Sequence, residues 1–257
     1  MRAEPEVRGS VDTSLDDGVL SIVIDDGELN VLDEGIIEAL GAAISTAEQT
    51  SVRAVLLLSG ARVFSAGADI RRLAELSTED FPTWNERIQR LFTRLSRLDV
   101  PVVASISGHA LGGGYELALA ADVRVMGQAA RVGLPEVRLG IIPGAGGTQR
   151  LTRLVGPHVA CRLLLGGEQY GAAEALSFGL VDDVSDDPDL RAREVAARLA
   201  ENPREVAAAV KEAVSVAAGP LDAGLAHEQE LICKLFAGPA QREMVRSFLK
   251  KRSGDRP

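Results

Sequence analysis

Two short apolar runs, Ala54-Val55-Leu56-Leu57-Leu58 and Val102-Val103-Ala104-Ser105-Ile106, restrict the fold more than any other feature of the chain. Neither alternates polar with apolar residues, so a strand built from either must be covered on both faces. The run from Val19 to Ile24 reads as a further buried strand, and Val123-Arg124-Val125-Met126 and Val181-Asp182-Asp183-Val184 add shorter ones. Helices lie between them. Asp33 caps one in which Ile36, Ile37, Leu40, Ile44 and Ala47 recur at helical spacing, and Trp84, Ile88, Leu91, Phe92 and Leu95 mark another. Strands alternating with helices predict an α/β fold. The first eighteen residues are polar and aperiodic and read as a loose tail.

From about Asp189 the pattern changes to Ala-rich helices punctuated by Asn202-Pro203, Gly219-Pro220 and Gly238-Pro239, each a stop followed by a start signal. The expected organisation is a core over residues 1–190 and a helical region over 191–257. Helices without a sheet to cover either pack on a partner subunit or fold back on their own core, and the sequence leaves both open. The 37 acidic against 28 basic residues give a net charge of −9, with no basic run longer than Lys250-Lys251-Arg252. That balance argues against nucleic acid, whose phosphates need basic clusters. The longest uncharged stretch, Val100 to Tyr115, is Gly-rich and shorter than the roughly 20 apolar residues that span a bilayer, so no membrane partner is expected. The start of the chain has early acids and no apolar core, unlike a signal peptide. Two cysteines, Cys161 and Cys233, cannot form a disulfide framework. They fit a reducing, cytoplasmic setting and read as small interior-facing helix residues. Three scattered histidines predict no metal site.

The chemistry-bearing signals are two glycine-rich loops. Phe64-Ser65-Ala66-Gly67-Ala68-Asp69-Ile70 follows the first apolar run, and Gly108-His109-Ala110-Leu111-Gly112-Gly113-Gly114-Tyr115-Glu116 follows the second and opens a helix. Strand, glycine loop and helix bare backbone N–H groups to a ligand. A nucleotide cradle fails its own criteria: Gly144-Ala145-Gly146-Gly147-Thr148-Gln149 ends in Gln149, and neither a phosphate loop nor a Gly-x-Ser-x-Gly elbow occurs. The same N–H groups suit an oxyanion hole. Glu116 stands in the first turn of that helix, and Glu136 follows a proline bend in Gly133-Leu134-Pro135-Glu136. Two carboxylates beside an oxyanion hole suit proton transfer next to a carbonyl. A glutamate early in a helix also complements the helix dipole, and the residues alone leave both roles open.

Phe64–Ile70, Pro101–Leu117, Gly133–Gly140 and Ile142–Leu151 together resemble the crotonase superfamily, and within it the enoyl-CoA hydratases. The resemblance runs from about Val19 to Arg252. It implies a spiral of ββα units with a C-terminal helical trimerisation region, assembled as a homotrimer or a dimer of trimers. Carried onto this chain, it implies that Ala68 and Gly113 supply the oxyanion N–H donors and that Glu116 and Glu136 are the catalytic pair. The implied reaction adds water across the 2,3 double bond of a trans-2-enoyl-CoA. Coenzyme A enters only as part of the substrate thioester, and no separate cofactor is expected. Ala66, Asp69, Ile70, Arg71 (with Arg72 beside it), Leu134, Phe236, Phe248 and Lys251 are the implied substrate and CoA contacts, and Gly144–Gly147 a structural turn capping the site. Solvated basic faces or helix packing explain the basic and aromatic members of this set equally well. Two departures from the family pattern, Gly27-Glu28-Leu29-Asn30-Val31-Leu32 without the usual proline and Leu134 before Pro135-Glu136, bear on the acyl group. The competing readings are a crotonase-type isomerase or biosynthetic dehydratase, and a non-catalytic CoA-thioester-binding scaffold.

Overall fold

The computed structural model describes residues 10–60 and 62–252, with side chains described through residue 246. In chain order the first part of the fold is β1 (Ser10–Asp16), β2 (Val19–Asp25), β3 (Val31–Leu32), α1 (Glu34–Ala47), β4 (Ala54–Ser59), β5 (Gly67–Ala68), α2 (Ile70–Glu75) and α3 (Phe81–Ser96). Then come β6 (Val102–Ile106), β7 (Ala110–Leu111), α4 (Gly113–Ala118), β8 (Val123–Gly127), β9 (Arg131–Gly133) and a single 3-10 turn (Glu136–Leu139). The rest of this part is α5 (Gly147–Val155), α6 (Pro157–Gly166), β10 (Tyr170–Gly171), α7 (Ala172–Ser177), β11 (Asp183–Ser185) and α8 (Pro188–Ala200). Three helices follow: α9 (Arg204–Ser215), α10 (Leu221–Ala237) and α11 (Pro239–Arg252).

The main sheet has the order β1-β2-β4-β6-β8-β11, parallel from β2 onward. As the uninterrupted apolar runs require, both faces are covered. Leu20, Ile22, Ile24, Val55, Leu57, Val102, Ala104 and Ile106 belong to one core with Ile36, Leu40 and Ile44 of α1 and Ile88, Phe92 and Leu95 of α3. Ala54, Leu56, Leu58, Val103 and Val125 face the other way, onto Ala192, Val195, Ala196 and Ala200 of α8. Asp33 caps α1 as expected, its Oδ1 accepting from Ile36 N at 2.8 Å. Two small sheets, β10-β9-β7 and β3-β5, complete the strand set, and an isolated bridge pairs Ser65, ahead of β5, with Ala110 of β7.

Three expectations are corrected. Residues 10–16 are not a loose tail but an antiparallel edge strand on β2, turned by Asp17 and Gly18, both at positive φ. Asp-Gly is a two-residue hairpin signal, but the strand's side chains are almost all exposed, so it is held by its backbone ladder and leaves little apolar pattern. Cys161 and Cys233 are exposed, not interior. The last strand begins at Asp183, two residues later than read.

The described chain divides into two compact units, one ending at Ala200 and one beginning at Glu201. The break falls ten residues beyond the 190 boundary because α8 covers the second face of the sheet. The second unit is helical, and its α10 exposes Leu221, Leu225, Ile232 and Phe236. Among the described residues no helix is long and apolar enough to cross a membrane.

Candidate active site

Three loops leave the carboxyl ends of β4, β6 and β8, neighbours in the sheet, which is where open parallel sheets place their ligands. The loop after β4 runs through Phe64 and Ser65 into β5. Its anchor is Asn30, fully buried at positive φ, whose Nδ2 donates to Ile24 O and Ser59 Oγ at 2.9 Å and to Val63 O and Phe64 O at 3.2 Å. Ser65 Oγ donates to Asn30 O at 2.7 Å and accepts from Gly67 N at 3.1 Å, so the segment leading to Ala68 is tied down from both sides.

The loop after β6 carries the triple glycine, each with its own neighbour. Gly112 sits at positive φ, and a methyl group built on it would lie 3.1 Å from Glu136 Oε1. On Gly113 the methyl would lie 3.3 Å from the Ala68 amide nitrogen, and on Gly114 only 2.2 Å from Ser65 O. Side chains here would part the two loops. Their absence brings the Ala68 and Gly113 backbones side by side.

The third loop delivers Glu136. Leu111 pairs with Gly133, and Gly112 N donates to Gly133 O at 2.9 Å, which brings the chain back beside the glycine loop before Pro135 turns it. Glu116 stands one helical turn after Gly112, its N donating to Gly112 O at 2.9 Å, and its carboxylate is near enough to Glu136 for its charge to raise that group's pKa.

Their surroundings differ. Glu116 is 3% exposed, and its Oε1 accepts from Ala145 N at 2.8 Å and Gly147 N at 2.7 Å. Burial raises its pKa, while those two N–H groups and the Arg150 guanidinium favour its ionised form. Glu136 is half-buried, and its Oε2 is enclosed with no protein hydrogen-bond partner among the described residues. Burial first, then the neighbouring Glu116 charge, push its pKa up to about 7, against a backbone hydrogen bond that lowers it. Both carboxyl pKa values are thus raised by burial, but only Glu116 has two N–H donors and a guanidinium working against that rise.

The structure therefore brings together Ala66, Ala68, Gly113, Glu116, Leu134 and Glu136, with Leu134 buried and Ala66 N bonded to Leu29 O at 2.9 Å. Asp69 caps α2, accepting from Arg71 N at 2.9 Å; Ile70 and Arg71 are exposed beside it, and Arg72 pairs with Glu34 at 3.5 Å. Phe236 is 67% exposed and lies in the second unit. The Phe248 and Lys251 side chains lie outside the described residues. No group of three or more His, Cys, Asp and Glu side chains among the described residues could hold a metal ion. Sequence reasoning passed over Asn30 as an anchor; a lone asparagine ahead of a two-residue strand carries no periodic signal, and only its position in the altered family motif pointed to it.

The model of the enoyl-CoA hydratase/isomerase family matches residues 14–255. The chain belongs to that family. A 2,3-dehydroadipyl-CoA hydratase of Escherichia coli K12 is 41% identical over 82% of this chain and 83% of its own length. A probable enoyl-CoA hydratase of Bacillus subtilis is 35% identical over 95% of this chain and 96% of its own. Among solved structures, an enoyl-CoA hydratase from Bacillus anthracis superposes with a TM-score of 0.89 at 33% identity, covering 95% of this chain and 96% of that one. The mixed α/β fold with a helical C-terminal region is thus the fold of this family.

Proposed function

We propose that the protein hydrates trans-2-enoyl-CoA thioesters to 3-hydroxyacyl-CoA, with Glu116 and Glu136 as the catalytic pair and Ala68 and Gly113 N–H as the oxyanion hole. The thioester oxygen faces the two N–H groups and a water lies between the carboxyls. Glu116 takes a proton from the water as its oxygen bonds to the β-carbon. The π electrons move onto the thioester oxygen as an enolate, which the N–H groups stabilise; one such donor is worth about 3–4 kcal/mol of barrier. Glu136 then gives its proton to the α-carbon as the enolate collapses. Return of the proton from Glu116 to Glu136 through solvent resets the pair. No cofactor beyond the CoA of the substrate takes part.

The observation that carries this reading is a pair of neighbouring glutamates in unlike surroundings, with the Ala68 and Gly113 backbones adjoining. The test is incubation with crotonyl-CoA. Hydration removes the conjugated enoyl-thioester absorbance and adds the mass of one water to the product. A product of unchanged mass would replace hydration by isomerisation, and no turnover on short or long enoyl-CoAs would leave a binding protein.

The same reading places the protein in the cytoplasm, where two exposed free thiols are kept reduced. It also assembles the chain as a homotrimer or dimer of trimers. The exposed Leu221, Leu225, Ile232 and Phe236 of α10 support assembly, because a helix showing that much apolar surface gains by covering it.

A further inference from the structure

The two N–H groups that hold Glu116 belong to the peptide units 144–145 and 146–147, and each is also held from its other end. A trans peptide is planar, so its C=O points opposite to its N–H. Gly144 O accepts from Asn85 Nδ2 at 3.1 Å and Gln89 Nε2 at 3.3 Å, while the N–H of the same peptide reaches Glu116 Oε1 at 2.8 Å. Gly146 O accepts from Arg150 N at 2.8 Å and Gln149 N at 3.1 Å, while its peptide's N–H reaches the same Oε1 at 2.7 Å. The Arg150 side chain closes the frame, donating from Nη1 to Ala145 O at 2.8 Å and from Nη2 to Thr93 Oγ1 at 3.3 Å.

Asn85, Gln89 and Thr93 are spaced four apart on α3, which puts them in one row along the helix. They lie apart from the row that packs the core, Ile88, Leu91, Phe92 and Leu95. The fit at Gly144 is close: a methyl group built there would lie 2.3 Å from Asn85 Oδ1. None of these residues is needed for the burial of α3, yet together they fix the turn that fixes Glu116.

We propose that Asn85, Gln89, Thr93 and Arg150 form a clamp of positioning residues that orients the Glu116 carboxylate through the backbone of the Gly144–Gly147 turn. Side-chain N–H, peptide C=O, peptide N–H and carboxylate form one polarised chain, in which each hydrogen bond strengthens the next. Arg150 adds a positive charge acting on Glu116, and Glu136 is the neighbouring titratable carboxyl. The inference rests on the reading of Glu116 as the base.

It is tested with Asn85→Ala/Gln89→Ala, Arg150→Met, Arg150→Lys and Glu116→Gln in the full-length protein, measuring kcat, KM, the pH profile of kcat and thermal melting. The double variant and Arg150→Met should lose kcat by on the order of tenfold, the scale of a small misplacement of a reacting group, with KM little changed. Their acid limb should move to higher pH, because the ionised Glu116 has lost N–H or charge support. Arg150→Lys should recover part of the Arg150→Met loss. Wild-type kcat and an unmoved acid limb in the double variant, with Glu116→Gln inactive, would overturn the clamp and leave the base intact. Full turnover by Glu116→Gln would overturn the base itself. Should Arg150→Met fail to fold, the double variant decides alone, since Gln89 is exposed and Asn85 half-buried.

Discussion

Glu116 and Glu136 are one residue type in two settings, and the proposed division of work follows the settings. Glu116 receives two backbone N–H groups and faces a guanidinium, whereas Glu136 keeps one oxygen enclosed without a hydrogen-bond partner among the described residues. Acting as the acid, Glu136 must carry its proton, so kcat/KM should fall as pH rises through about 7. The same environment costs stability. Its carboxyl titrates near 7 in the fold against 4.5 when free, so the penalty is absent below 4.5, grows with pH, and is complete above about 7. Glu136→Gln should therefore be more stable than the parent by roughly 2–3 kcal/mol at about pH 8 and gain nothing at about pH 4. Melting curves at both pH values check this. An equal gain at both would show that ionisation is not the cause.

At the scale of elements, the site depends on α4 resting directly against the Ser65 segment. Gly114→Ala puts a methyl group 2.2 Å from Ser65 O, and backbone has to move to admit it. The variant should lose about 1–3 kcal/mol of stability. Because the movement separates Gly113 from Ala68, it should also lose kcat on a residual folded fraction; unchanged kcat per folded molecule would detach the glycine loop from catalysis. The long elements were legible in the sequence because burial on both faces leaves unbroken apolar runs, as in β4 and β6, and one-sided burial leaves helical periodicity, as in α1 and α3. The edge strand β1 was not, because its ladder is backbone and its side chains face water. Strands of two or three residues such as β3, β5, β7 and β9 are too short to show a period, and they are what bring the loops together. The two glutamates could be picked out from the sequence, while Asn30, Asn85 and Arg150, which bond to backbone carbonyls of other segments, could not.

For the whole molecule, a net charge of −9 is compatible with a ligand that is itself anionic, because in the proposed site backbone N–H groups rather than a basic field hold the reacting end. Assembly through the second unit should give three or six copies by sedimentation, with Leu221→Lys/Phe236→Lys reducing the mass; a monomeric wild-type protein at micromolar concentration would contradict it. Hydration by two glutamates is tested most directly by crotonyl-CoA turnover, read as loss of enoyl-thioester absorbance, in wild type, Glu116→Gln and Glu136→Gln, each shown to be folded at the assay temperature. Each variant should lose on the order of 10²–10⁴-fold in rate while remaining folded. Near-normal turnover in both would contradict the assignment.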